Sequence, residues 1–272
     1  MPSLFLSLIL ACSNNDAQQS SPTKTQAKAL QPISEVIQLG HQDARTAALA
    51  PSPMETHLAA KKAGLSTQLM TLAPKREFSM DITDVNHLAM RTGVLLADTV
   101  LLIEELSKDQ LMRNLGLIHD GLEKIKVNSD ILSSVVELQK KIENDAISRK
   151  EVLISLEELV ASSTPERGLG DGYTTGPLLQ AGAWLASINL LGTALLKEDN
   201  IEAASSLLRH SQVAEYFLLY VGTKGKDTAP LALIEKLEAT LFTMKDIAEK
   251  EAIEASDLKL LVKETGRFLS II

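Results

Sequence analysis

The sequence is poor in the side chains from which metal and catalytic centres are most often built. One cysteine, Cys12, occurs in 272 residues, which excludes an intramolecular disulfide and any zinc or iron–sulfur centre made of cysteines. The five histidines are scattered, and no HxxxH, HExxH or ExxH spacing supplies a second ligand beside any of them. Basic charge is also short: 27 Lys and Arg face 35 Asp and Glu, a net charge of −8. A nucleic-acid binder needs a basic stripe to replace phosphate counterions, so the acidic balance argues against that class. No Ser–His–Asp order, paired-carboxylate motif or nucleophile elbow can be singled out, which makes an enzyme the less favoured class. β-branched alternation bounded by tight turns is missing as well. What remains is long stretches of helical apolar periodicity from Asp84 onward, in a chain long enough for one large or two small domains.

The N-terminus reads as an address. Leu4–Ala11 is apolar apart from Ser7 and ends at Cys12. Such a run cannot cross a hydrocarbon core of roughly 30 Å as a helix, but it has the size of a signal-peptide core. Ile9-Leu10-Ala11-Cys12 resembles the lipobox of bacterial lipoproteins. The resemblance implies removal of residues 1–11 as a signal peptide and acylation of Cys12. Two or three acyl chains hold a protein stably on a membrane where one does not. The polar run from Ser13 to Pro22 would serve as a tether. Serine directly after the cysteine resembles outer-membrane sorting, so the expected location is the cell envelope, on the outer membrane facing the periplasm. One departure from the pattern is the lack of Lys or Arg before the apolar run.

Residues 12–52, rich in Gln, Ser, Thr, Asn, Ala and Pro, read as a disordered tether. Glu55–Leu65 reads as a small helix stopped by Gly64. Thr83 or Asp84 can cap a helix to about Leu106. Ser107-Lys108-Asp109-Gln110 is a capping box opening a helix toward Val127, and Ser148-Arg149-Lys150-Glu151 is another, opening a helix to about Ala161. Asp130–Asp145 lies between them. The glycine cluster Gly168, Gly170, Gly172 and Gly176 breaks the pattern. It follows a helix and lacks a P-loop lysine, so it reads as a joint rather than a phosphate cradle. Pro177 suits the first turn of the next helix, which runs to about Lys197. Asn200–Tyr220, Pro230–Glu251 and Ser256–Leu269 complete the chain.

Two stretches look alike. Met90–Asp98 lies over Leu179–Ser187 without a gap, setting Gly93 on Gly182 and Leu96-Ala97 on Leu185-Ala186. A charged turn and a histidine-bearing amphipathic helix follow each. The expected fold is therefore all-α: a duplicated helical bundle, with units 53–163 and 177–272 joined by a linker at 164–176. Each unit supplies three to four helices around two central apolar helices. A glycine inside a helix costs about 1 kcal/mol relative to alanine. Close backbone approach is the compensating gain, so the two apolar helices should cross at Gly93 and Gly182. Gly93→Leu should then overpack far beyond its propensity cost. Leu178–Leu196 carries no charge over 19 residues, near membrane-spanning length, yet Gln180, Ser187, Asn189 and Thr193 favour a buried helix instead.

The candidate site residues follow from these helices. His87, Arg91, Asp98 and Glu105 form one stripe on the first apolar helix. It reads as a solvated strip; the sharper alternative is a polar cluster lining an internal cleft, with Arg91 holding an anion. If that helix is buried, Arg91 should pair with a carboxylate. Trp184, Tyr216, Phe217 and Tyr220 read as core, with an apolar pocket as the alternative. His119 and His210 read as ordinary surface residues; no metal and no cofactor are expected. The functional expectation is a lipid-anchored scaffold or protein-interaction module with a protein partner in the envelope. The rival is a helical-bundle carrier of a small apolar ligand or cofactor between the two units, for which His87, Arg91, Asp98 and Trp184 are the candidate ligand or polar-cluster residues.

Overall fold

Capping chemistry sets most of the helix starts. In the computed structural model, Ser107 and Gln110 exchange side-chain and backbone hydrogen bonds in a full capping box. Ser148 does the same with Glu151, and Asp84 accepts from the backbone of His87. A further box, Ser52 with Glu55, opens a helix that starts at Pro53, two residues before the expected Glu55. The structure describes residues 50–65, 69–74, 76, 79–162, 175–222 and 229–272. The expected signal peptide, Cys12, the tether to residue 49 and the Gly168–Gly172 joint lie outside the described residues.

Among the described residues there are eleven helices and no strand, as expected of an all-α chain. They are α1 Pro53–Lys62, α2 Leu69–Leu72, α3 Val85–Leu101, α4 Lys108–Lys124, α5 Ser129–Glu143 and α6 Arg149–Ser162. After the joint come α7 Gly176–Lys197, α8 Ile201–Leu208, α9 Ser211–Tyr220, α10 Leu231–Ala248 and α11 Ala255–Leu269. Four helix ends share one device. Leu65, Val127, Ala146 and Asn200 each return an N–H to the carbonyl five residues back. The residue before each is left-handed: Gly64, Lys126, Asp145 and Asp199. This is the Schellman closure. Only the first of the four uses glycine, so the other three ends carry no glycine signal in the sequence.

Helix α3 stops at Leu101, short of the expected Leu106. Residues 102–105 form turns, and the Leu106 carbonyl is taken by the guanidinium of Arg149. The corner lets Ser107 begin α4 back along α3.

The two apolar helices form the centre. Helix α3 packs most extensively on α7, which is buried except at Gln180, Thr193, Leu196 and Lys197. The two cross where the sequence places them. A Cβ on Gly93 would stand 1.9 Å from the Leu179 carbonyl oxygen, and one on Gly182 would stand 2.3 Å from that of Met90. Around this pair the halves are dressed differently. Helix α3 is covered by its successor α4, with α5 and α6 beyond, whereas α7 is covered by the last helix, α11, with α10 and α9 beyond. Asn189 fastens the latter contact, donating to the Val262 carbonyl at 2.9 Å and to Thr265 Oγ1 at 3.0 Å.

Candidate functional site

The polar stripe of α3 is the first candidate, and its four members do different things. His87 sits half-buried at the helix start with Nδ1 3.1 Å from the Asp84 carboxylate. Arg91, one turn on, donates through Nη1 to the Ser79 carbonyl at 2.5 Å and through Nε to the backbone oxygen of Ile272. Asp98 is buried and paired with Arg76. Glu105 accepts the Met70 N–H at 3.1 Å.

The solvated-strip expectation is thereby corrected. Met70, Arg76 and Ser79 reach the stripe, and α4 holds the residue after Ser79: Lys124 donates to the Met80 carbonyl at 2.7 Å. The carboxylate two turns along the helix from Arg91 pairs with Arg76. Burial pushes the Asp98 carboxyl up, against the pull of the Arg76 cation. One carboxylate oxygen, Oδ1, is buried with no hydrogen-bond partner. The stripe acts as a row of fasteners for two pieces of chain, one before α3 and one after α11.

Trp184 belongs to another cluster. Its ring centroid lies 5.5 Å from that of Phe217, which in turn meets Tyr216 edge-on at 5.1 Å. Trp184, Phe217 and Tyr220 are buried, and burial pushes the Tyr220 hydroxyl well above its ordinary range. Two polar atoms here lack partners: Trp184 Nε1 and, one turn earlier on α7, Gln180 Oε1.

The histidines do not form a pair. His210 begins α9 with Nε2 3.0 Å from the Leu207 carbonyl, and burial lowers its pKa. His119 lies on α4 with Asp120 and Glu123, their ligand atoms within 4.8 Å of one another. All three side chains face solvent at least in part, and no buried or unpartnered group accompanies them.

Surface grooves lie elsewhere. One of about 300 Å³ runs between α5 and α6, lined by Asp130, Ser134, Glu137, Lys141 and Ser155. Another, of about 370 Å³, lies between α10 and α11 beside Lys236 and Arg267. Neither is lined by α3 or α7.

Sequence reasoning missed Arg76, His57 and Glu157. Arg76 lies in a stretch with no helical pattern. His57 is 2% exposed on the inner face of α1, and the Ser52-x-x-Glu55 box was the signal that could have placed it. Glu157 reaches the start of α1 from α6, a contact no local pattern announces. Comparison with protein-family models, curated proteins and solved structures gives no match for this chain.

Proposed function

We propose that the protein is a lipid-anchored scaffold or protein-interaction module of the cell envelope, held through Cys12 on the outer membrane and facing the periplasm. The observation that carries the anchor is the sequence Ile9-Leu10-Ala11-Cys12 followed by a polar run. The scaffold half rests on how the interior is used. Helices α3 and α7 meet at backbone contact distance, which leaves no room for a ligand where they cross. The charged groups of α3 fasten chain segments rather than converge on a shared space.

The duplicated reading of the body belongs to the same proposal. Leu179 precedes Gly182 by three residues and Met90 precedes Gly93 by three, so the crossing contacts are reciprocal. That reciprocity supports two related units, while the differing cover of α3 and α7 is what such units would have acquired separately.

One observation favours the rival reading, a carrier of a small apolar ligand: the unpartnered Trp184 Nε1 and Gln180 Oε1 on one face of α7. The two readings separate in thermal melts with and without a long-chain fatty acid or haem. A carrier gains stability by mass action, by about 2.7 kcal/mol at a ligand concentration of about 100 Kd; a scaffold is indifferent. Radiolabelled palmitate tests the anchor: wild type should be labelled and Cys12→Ser should not. Equal labelling of the two proteins overturns it.

A further inference from the structure

Helix α1 joins the body through one buried and one half-buried titratable side chain, His57 and Glu157. It packs against α3, α6, α7 and α8, with Pro53, Thr56, His57 and Ala60 turned inward. The His57 ring faces the backbone of Leu101, the last residue of α3. Its Nδ1 is buried with no hydrogen-bond partner. This arrangement suits the neutral ring. A protonated ring must carry an N–H at Nδ1, and a buried donor without an acceptor is strongly disfavoured.

At the other end of α1, Glu157 of α6 lies against Ser52 and the Met54 backbone. Its Oε2 is buried without a partner. The remaining charges around the helix are few. Glu104, just past α3, pairs with Lys61 of α1 at 3.4 Å. Glu55 stands near Glu157. Helix α7 offers no charge along Leu178–Leu196, and α8 offers Glu202, beside Gly64.

We propose that α1 is a proton-operated latch: uptake of one proton by His57 releases α1 from α3, α6, α7 and α8. Burial is the largest influence on His57 and lowers its pKa; the Leu101 carbonyl and Glu104 favour the cation, and Lys61 opposes it. A histidine lowered in this way holds α1 fully above its ordinary range near pH 6.5 and loosens it as pH falls through that range. Glu157 has the opposite sign. Burial raises its carboxyl, so acid relieves the cost of its buried charge and tightens the same helix.

Hydrogen exchange of the full chain tests the latch, corrected for the pH dependence of intrinsic exchange. Lowering the pH from about 7.5 to about 5.5 should speed exchange in α1 by at least about threefold relative to α10. Glu157→Gln should keep that response, whereas His57→Phe or His57→Gln should lose it. Two histidine variants of different shape guard against poor packing in either; the wild-type comparison decides even if both unfold. Equal acceleration in α1 and α10, or a response removed by Glu157→Gln and kept by the histidine variants, overturns the proposal.

Discussion

Gly93 lies against the backbone of Leu179 so closely that a Cβ added to it would stand 1.9 Å from the Leu179 carbonyl oxygen. The obstacle is main chain inside a helix, and it cannot rotate aside. The sequence suggests that leucine at this position would be far worse than alanine; the geometry makes alanine severe already. Gly93→Ala should cost more than about 2 kcal/mol in urea unfolding, through overpacking. Gly116→Ala is the control. Its Cβ would meet only Gln139 Nε2, at 3.9 Å, so it should stabilise by about 0.5–1 kcal/mol. A Gly93→Ala protein with wild-type stability would mean that α3 and α7 separate at little cost.

The Arg76–Asp98 pair supports a second prediction. Both side chains are nearly buried, so removing one partner strands the other. Arg76→Met should destabilise by roughly 3–5 kcal/mol, because the Asp98 carboxylate then has no counter-charge. Arg76→Met with Asp98→Leu should recover most of that loss. A double variant no more stable than Arg76→Met alone would show that the pair matters through something other than charge burial.

How much of this was legible follows from the range of each interaction. The boxes at Ser107 and Ser148, the end at Gly64 and the glycine pair at the crossing are local or pairwise patterns, and sequence spacing carries them. The Ser52 box is equally local. Arg76 on Asp98, Met70 on Glu105 and Ser52 on Glu157 join segments 22, 35 and 105 residues apart. No periodicity encodes such pairings. The stripe on α3 was found, but whether it faces water depends on a stretch around Arg76 with little pattern of its own. Helix ends at Lys126, Asp145 and Asp199 stayed blurred because left-handed residues other than glycine leave no signal.

Trp184 gives a test in which the polar part of a side chain can be separated from its bulk. The indole N–H is buried without a partner, so it contributes nothing favourable to the fold. Trp184→Phe should cost less than about 1.5 kcal/mol, since lost area is partly offset by removal of a stranded donor. Trp184→Ala should cost about 3–5 kcal/mol. If Trp184→Phe proves as damaging as Trp184→Ala, the nitrogen has a partner that matters.

Global stability should also respond to pH with a definite sign. His57 and His210 are both held below their ordinary pKa chiefly by burial. Near pH 6 the unfolded chain therefore binds more protons than the folded one, and stability rises with pH. Their contribution is fully present above about pH 6.5 and is lost as pH falls through that value towards the folded-state pKa values. Glu157 is shifted up by burial; its contribution is present in acid and lost as pH rises through its folded-state value. The urea midpoint should consequently fall between about pH 7.5 and about pH 5.5. In His57→Gln with His210→Gln that fall should shrink, while in Glu157→Gln it should steepen at its acid end, because the opposing carboxyl is gone. An unchanged midpoint in wild type across this range would show that neither imidazole is kept neutral by the fold.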